Sequence, residues 1–256
     1  MSSLYTKSCI EETPDQLEHW QWSAFEQFTS MMINENHPYP CLPGKQGFLA
    51  DSLRFGFAGD PRNKATIIHL AHLLKTYGTI SRDTGKYASL VIFFDSRELE
   101  KGYTDVDHYQ SLFWSILSQV HEQDEKPWPE EIPEDPSHHE WEFCFEGEPY
   151  FSFCATPAHT QRKSRSFPYF MLAFQPRWVF DELNDSTSLG RKMKKVIRER
   201  LEGYDGMTPH PDLKWYGQKD NHEWKQYFLH DDDSTPSKCP FMRMKQKFKE
   251  FGIKKS

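Results

Sequence analysis

A short loop in the middle of the chain concentrates basic side chains directly after a predicted strand. His159, Arg162, Lys163 and Arg165 follow one another within this loop. Arginine offers a planar fork of donors that matches the two oxygens of a carboxylate, so the grouping suits an anionic ligand. The alternative is a basic surface loop that binds nothing. The residues alone leave both interpretations open.

His210 is a second residue whose setting suits a chemical role. Pro209 and Pro211 restrict the backbone on both sides of it, so the imidazole is aimed with little conformational entropy left to lose. A histidine held in this way is useful as an axial metal ligand or as a general base. The alternative is an ordinary histidine in a turn, and the sequence does not decide between the two.

Several well-known chemical motifs are missing from the sequence. It contains no GxxxxGK loop, no GxGxxG turn after a strand, and neither GxSxG nor HExxH. Nucleotide cofactors and two common classes of hydrolase therefore lack their signatures. The cysteines include no CxxC pair, which argues against a structural zinc site.

Composition excludes further classes of protein. A formal net charge of −7 and a pI of about 5.9 oppose general binding of nucleic acid, which needs a dominant basic face. No apolar run approaches the length of a membrane span. The 5 cysteines are odd in number and irregularly spaced, and no apolar leader follows Met1. These features predict reduced thiols in a cytoplasmic protein.

Hydrophobic periodicity predicts the elements that must position these residues. Helices are predicted at residues 20–33, 63–78, 105–121 and 188–201, with short helical pieces at 178–183 and at the basic end of the chain. Strands are predicted at residues 53–57, 87–94, 141–145, 150–155 and 168–174. Residues 40–47, with two prolines and two glycines, are predicted to form an ordered loop, and residues 203–240 to be irregular. The order of elements lacks a strict alternation, which predicts an α+β fold with a mixed, mainly antiparallel sheet packed with helices in a single domain.

The two strands around residues 146–149 are predicted to form a hairpin. A register that pairs Phe145 with Phe151 and Phe143 with Phe153 would place four phenylalanines on one face of the sheet.

Five segments of the chain resemble the YqcI/YcgG family. They are PYPCLPGKQGF at residues 38–48, WEFCFEGEPYFSFCATPAH at 141–159, FQPRWVFDEL at 174–183, TPHPDLKWYGQKDNHEWKQYF at 208–228 and CPF at 239–241. The resemblance covers residues 20–241, which we take as the domain, with an extension at 1–19 and a basic tail at 242–256. The motifs are long and rich in Trp, Cys and His, which makes the resemblance specific.

The resemblance implies an enzyme that uses haem b. Characterised members of the family hydroxylate a nitrogen of arginine or a related guanidine. This implies an oxidoreductase that takes dioxygen with an electron donor protein, or peroxide, and a small guanidino substrate. A homodimer is a candidate assembly. Two alternatives remain: a non-catalytic haem protein for storage or sensing, and a module that binds no haem and recognises an anion through the basic loop.

The residues quoted above divide into three expected roles. His210 or His159 is the expected proximal iron ligand, with a thiolate from Cys41 or Cys239 as the rival. Arg162, Arg165 and Arg177 are expected to meet the haem propionates or a substrate carboxylate. The guanidinium of a substrate would require a carboxylate and an aromatic face. The candidates for these are Glu146 and Asp212 as catalytic carboxylates, then Glu148, Trp141, Trp178 and Trp215.

Overall fold

A computed structural model describes residues 4–99, 101–102, 105–181, 186–215 and 218–241. They form one α+β domain around a five-stranded sheet. The helices are α1 (Lys7–Glu12), α2 (His19–Ile33), α3 (Leu42–Leu49), α4 (Lys64–Ile80), α5 (Val106–His121) and α6 (Ser188–Asp205). The strands are β1 (Leu53–Ala58), β2 (Ser89–Phe94), β3 (Phe143–Phe145), β4 (Glu148–Ala155) and β5 (Met171–Pro176). Short 3₁₀ helices lie at Pro14–Gln16, Ser81–Asp83, Lys163–Arg165, Arg177–Phe180 and Glu223–Gln226. The predicted basic helix at the end of the chain lies outside the described residues.

The strands follow the spatial order β1-β2-β5-β4-β3. The β1–β2 pair is parallel, and the other three neighbouring pairs are antiparallel. The prediction of a mixed, mainly antiparallel sheet is therefore confirmed. All six residues of β2 are buried because helices cover both of its faces, which accounts for its continuously apolar sequence.

Each face of the sheet carries its own hydrophobic core. On one face α4 and α5 pack on alternate strand residues that include Leu90, Ile92 and Phe174. On the opposite face α2 and α3 pack on Phe55 and Phe93. Much of the aromatic content therefore fills cores, in edge-to-face and stacked pairs.

The described part of the N-terminal extension packs on the domain. Tyr5 and Phe55 exchange two backbone hydrogen bonds, of 2.9 and 2.8 Å, along the outer side of β1. The side chain of Ile10 is fully buried. The contact satisfies backbone groups that the edge strand would otherwise expose.

The predicted loop at residues 40–47 is wrong, because α3 begins inside it. Pro43 stands in the first turn, where its missing N–H costs no helical hydrogen bond. Gly47 lies within the helix for a packing reason. A Cβ there would come within 2.6 Å of the Tyr87 carbonyl oxygen, so the glycine permits close approach of two backbones.

The hairpin exists, but its predicted register is wrong. Phe143 pairs with Tyr150 and Phe145 with Glu148, which leaves a two-residue turn. Glu146 (φ 53°) and Gly147 (φ 79°) both adopt left-handed backbone, as a type I′ turn requires. The shorter turn places Phe143 and Phe145 in the core beneath α4 and α5, whereas Phe151 and Phe153 face the other side of the sheet.

Candidate functional site

A cleft lies on the sheet face opposite α4 and α5, between the sheet and α6. It consists of three adjoining cavities, which we name by their linings. The sheet cavity, of about 110 Å³, has Val91, Phe153 and Ala173 in its floor. The arginine cavity, of about 160 Å³, contains Arg162 and Arg165. The helix cavity, of about 230 Å³, lies along α6 and is also lined by residues 213–215, 223 and 226.

Shared side chains join the three cavities into one cleft. Cys41 and Phe153 line both the sheet cavity and the arginine cavity. Ile197 and Leu201 of α6 line both the arginine cavity and the helix cavity. Phe151 lines both the sheet cavity and the helix cavity. A bound group would therefore meet apolar walls along the whole length of the cleft.

Helix α6 covers the cleft with one apolar stripe. Met193, Ile197 and Leu201 line the cavities, whereas Val196 is 37% exposed. Asp205 fastens the end of α6, since its carboxylate accepts hydrogen bonds from the backbone N–H (2.7 Å) and hydroxyl (2.9 Å) of Ser164.

Cys41 stands at the N-terminus of α3 with its sulfur toward the cleft. Its Sγ accepts the backbone N–H of Gly44 at 3.4 Å, as an N-cap side chain does. Burial raises the pKa of the Cys41 thiol, and the Gly44 N–H and the charge of Arg165 act in the opposite direction. A thiol capped by a helix N-terminus in an apolar cleft is a suitable ligand for a soft metal once its proton is lost.

His159 is buried with both ring nitrogens engaged. Its Nε2–H donates to the Leu229 carbonyl oxygen at 2.8 Å, because a carbonyl only accepts, and Nδ1 therefore accepts the Thr156 hydroxyl at 2.8 Å. Burial lowers its pKa to about 4. The structure thus places His159 as a neutral link between the end of β4 and residue 229.

Because His159 is buried as a neutral imidazole, we expect low pH to destabilise the fold. The folded pKa lies below the unfolded value, so the unfolded chain binds the extra proton between pH 6.5 and 4. Stability is retained above pH 6.5 and falls below it, with a slope approaching about 1.4 kcal/mol per pH unit. Denaturant unfolding measured from pH 7 to 4 will show a smaller slope in His159→Gln. His138→Asn, at an exposed imidazole, should retain the wild-type slope, and an unchanged slope in His159→Gln would contradict the assignment.

His210 is fully buried, with a hydrogen bond at Nδ1 and no hydrogen-bond partner within the described part of the chain at Nε2. The Asp212 backbone N–H donates to Nδ1 at 3.2 Å. The neutral ring then carries its proton on Nε2, and a protonated nitrogen does not bind a metal. Burial, together with the charge of Arg162, lowers its pKa. His210 is not among the side chains that line the three cavities.

Arg162 and Arg165 line the arginine cavity, but their guanidinium N–H groups donate hydrogen bonds to other residues of the protein. Arg162 donates to the carbonyl oxygens of His230 (2.8 Å) and Thr208 (3.3 Å), and forms an ion pair with Asp233 at 2.8 Å. The guanidinium of Arg162 therefore holds Thr208, His230 and Asp233 against the loop that follows β4.

Arg165 makes the corresponding contacts at the edge of β4. It donates to the carbonyl oxygens of Tyr227 (3.0 Å), Gln226 (2.9 Å) and Cys154 (3.4 Å). Its guanidinium carbon lies 4.3 Å from the centre of the Phe153 ring. Burial lowers the pKa of Arg165 to about 10, so it remains charged at neutral pH.

The remaining expected site residues lie in other places. Cys239 is buried in the core beneath α4 and α5, across the sheet from Cys41. Glu146, in the hairpin turn, has its carboxylate 3.0 Å from Lys75 and 3.6 Å from Lys126. Burial raises the pKa of the Glu223 carboxyl, and Arg177 lies close enough for its charge to oppose that rise.

Asp212 and the candidate partners of a guanidinium also lie in several different parts of the fold. The carboxylate of Asp212 accepts the Thr235 hydroxyl. Trp141 is fully buried in the opposite core, and both Glu148 and Trp178 contact Arg82 at the hairpin. Trp215 alone of this group is among the residues that line the helix cavity.

Glu223 is a cleft residue that the sequence did not single out. It is 7% exposed, lines the helix cavity with Trp215 and Gln226, and burial raises its pKa to about 8. The signal available in the sequence was an acid within the aromatic run HEWKQYF. A buried carboxyl beside a cavity is a usual mark of a functional site.

Two properties of the described residues bear on cofactor and location. No group of three or more His, Cys, Asp or Glu among them is placed to hold a metal ion. None of the helices described in this structure combines the length and apolar composition that a membrane crossing needs.

Comparisons with known proteins identify relatives over nearly the whole chain. The model of the YqcI/YcgG family matches residues 28–242. YcgG of Bacillus subtilis (strain 168) is 55% identical over 248 residues, 97% of this chain and 98% of the relative. YqcI of the same organism is 55% identical over 251 residues, 98% of each chain. Both relatives are described as uncharacterized.

A more distant relative carries a functional name. It is a protein of Streptomyces lavendulae, "Putative N(omega)-hydroxy-L-arginine synthase DcsA", 33% identical over 238 residues. The match covers 90% of this chain and 87% of that protein. No solved structure matches the chain.

Proposed function

The chain belongs to the YqcI/YcgG family, and from that premise we propose that it is a haem-dependent oxygenase that hydroxylates a nitrogen of a guanidino compound such as arginine. The name of the Streptomyces relative supports the reaction class. The observation that carries the proposal is the position of Cys41 in the cleft, with its sulfur held by the N-terminus of α3.

The cleft meets the main requirements of a haem site. A macrocycle needs two apolar walls, which the side chains of the sheet cavity and Ile197 and Leu201 of α6 in the adjoining arginine cavity provide. The iron needs one protein ligand and an open position on its other side. Gly44 contributes a cradle for the sulfur, because a Cβ at this residue would lie 3.2 Å from the Cys41 Sγ. The residues present therefore fit such a group.

We assign the ligand role to Cys41 rather than to either histidine. The ring nitrogens of His159 both make hydrogen bonds of 2.8 Å, and Nδ1 of His210 accepts a backbone N–H. Releasing either ring would leave buried polar groups without partners, at about 1–3 kcal/mol each. Cys41 requires only the loss of its proton, and bound iron favours that loss.

The reaction balances with one oxygen atom delivered to nitrogen. When bound, haem supplies activation of dioxygen: one oxygen atom adds to the guanidino nitrogen and the other leaves as water, with two electrons and two protons taken up. The electrons come from a donor protein, and hydrogen peroxide would replace dioxygen, the two electrons and the two protons together. The chain itself holds the ligand sulfur through the Gly44 N–H and excludes water with Phe151, Phe153 and α6.

A turnover assay tests the proposal. The hemin-loaded chain, L-arginine, dioxygen and a reductant should yield arginine heavier by one oxygen atom, detected by mass spectrometry, with arginine-dependent oxygen consumption. Tight haem uptake without such consumption would instead indicate a storage or sensor protein. A colourless chain after addition of hemin would remove both interpretations.

Gly44→Ala tests the cradle without removing the sulfur. The added Cβ lies 3.2 Å from Sγ, so the thiol must move while it remains able to bind iron. We expect affinity for hemin to fall about 10-fold, the scale of other changes that disturb the orientation of a metal ligand. Gly203→Ala is the matched control, because its Cβ meets nothing within 4 Å. Equal affinities of the two variants for hemin would argue against a ligand at Cys41.

A further inference from the structure

We propose that the helix cavity is the subsite for an α-amino acid with a guanidino side chain. In this cavity Glu223 binds the guanidinium of the ligand. The α-carboxylate is bound by the cations of Lys194, Arg198 and Lys214. The inference rests on the proposed function and specifies the substrate class and the residues that recognise it. These residues share one cavity of about 230 Å³ that adjoins the part of the cleft lined by Cys41.

A chain of side-chain amides fixes the carboxyl of Glu223. Asn221 Nδ2 donates to Glu223 Oε2 at 3.1 Å and to the Trp215 carbonyl oxygen at 2.8 Å. Gln226 Nε2 donates to Asn221 Oδ1 at 3.1 Å. The carboxyl is therefore oriented before any ligand arrives, which reduces the entropy lost on binding.

The environment of Glu223 favours a cationic ligand. Burial raises its pKa to about 8, and the nearby charge of Glu142 acts in the same direction. The hydrogen bond from Asn221 and the charges of Arg177 and Lys194 act against this shift. The free carboxyl is thus protonated at neutral pH, and a guanidinium placed against it would stabilise the ionised form.

Aromatic rings form the walls around this carboxyl. Phe151 and Phe180 line the cavity with ring centres 5.8 Å apart, and Trp215 lines it as well. The Nζ of Lys194 lies 4.0 Å from the centre of the Trp215 ring, so one face of this indole already contacts a cation of α6. A planar guanidinium suits the combination of a carboxyl and flat rings.

The other charged groups of the cavity are cationic and come from two segments. Lys194 and Arg198 belong to α6, and Lys214 follows residue 213. Arg198 Nη1 donates to the Leu213 carbonyl oxygen and Lys214 Nζ to Asp220, both at 2.9 Å. Arg198 and Lys214 each have more donors than these bonds use, so both retain capacity for a carboxylate. An acid and several cations in one cavity match a ligand that carries both charges.

Binding of arginine should therefore release a proton. Below pH 8 the affinity of the wild-type chain for L-arginine should rise with pH by up to about 10-fold per unit, because Glu223 must lose its proton. In Glu223→Gln the affinity should be at least about 30-fold weaker at pH 8 and nearly independent of pH. Glutamine resembles the protonated carboxyl, so this variant should fold normally. Glu199→Gln, at an exposed carboxyl of α6, should retain the wild-type behaviour.

The experiment is calorimetric titration of L-arginine and agmatine from pH 6 to 8.5, in buffers of different ionisation enthalpy. Agmatine lacks the carboxylate and should bind the wild type about 10-fold more weakly than L-arginine, through loss of charge-assisted hydrogen bonds. Equal affinities for the two probes would overturn the carboxylate assignment. Affinity for L-arginine in Glu223→Gln that matches wild type would overturn the guanidinium assignment.

Titrations of the chain as purified and after loading with hemin separate the two proposals. Failure to take up hemin would remove the proposed function and leave the arginine titration as a test of the cavity alone. Absence of arginine binding to the hemin-loaded chain would remove this inference and leave haem binding intact.

Discussion

Replacing Cys41 with alanine is expected to reduce arginine hydroxylation to background. The variant lacks the thiolate, and no other cysteine among the described residues lines the three cavities of the cleft. The long-wavelength Soret band of the ferrous carbon monoxide complex, typical of a thiolate ligand, should disappear at the same time. The measurements are turnover by mass spectrometry and the absorption spectrum of the hemin-treated protein.

Cys144→Ala provides the matched control for this prediction. Cys144 is a buried cysteine of β3 that lies away from the cleft lining. It should retain the thiolate spectrum and turnover, even if its stability falls. A Cys41→Ala variant that retained the wild-type spectrum would return the ligand role to a histidine or to another residue.

Replacing Arg165 with methionine is expected to lower the free energy of unfolding by about 3–5 kcal/mol, in the absence of haem. Arg165 is 5% exposed and satisfies the carbonyl oxygens of Cys154, Gln226 and Tyr227. Methionine fills much of the volume but donates nothing, so these acceptors lose the guanidinium, and the Tyr227 carbonyl oxygen keeps the backbone N–H of Cys154 at 3.2 Å. Denaturant unfolding of the chain as purified measures the effect.

Lys163→Met is the control, because Lys163 is exposed in the same short helix. Its unfolding free energy should change by less than about 0.5 kcal/mol. If Arg165→Met instead unfolded like wild type and lost affinity for hemin, Arg165 would be a propionate partner rather than a structural clamp.

The regular elements could be predicted because their signals are local. Apolar residues at helical spacing located α2, α4 and α5, and a continuous apolar run located β2 at the interior of the sheet. α3 could not be predicted in the same way. Its glycines normally interrupt helices, and the close backbone contact that explains Gly47 comes from Tyr87, which is distant in the sequence.

The site was harder to predict because its residues depend on long-range partners. The basic loop suggested an anion site, but the acceptors for Arg162 and Arg165 are mostly backbone carbonyls of residues 208–232, which composition does not reveal. His210 was expected to be constrained by its flanking prolines, and in the structure its Nδ1 accepts a backbone N–H. For His159 nothing in the sequence indicated that hydrogen bonds occupy both ring nitrogens. Cys41 was named as an alternative ligand, but its position at a helix N-terminus could not be recognised because α3 was predicted to be a loop.

The hairpin shows how a small register error alters the description of a site. In the predicted register all four phenylalanines would lie on one face of the sheet. The two-residue turn at Glu146 and Gly147 separates them, so that Phe151 and Phe153 form the floor of the cleft. Because the register places Phe151 and Phe153 on this face, a planar group in the cleft would have an aromatic wall on the sheet side and α6 on the other.

The most direct test of a haem held by Cys41 is the resonance Raman spectrum of the hemin-loaded chain. A haem ligated by Cys41 should give an iron–sulfur stretching band that moves to lower frequency when the cysteines carry ³⁴S, and that is missing from Cys41→Ala. An iron–imidazole band in its place, or hemin that never binds in a saturable manner, would show that Cys41 is not the ligand.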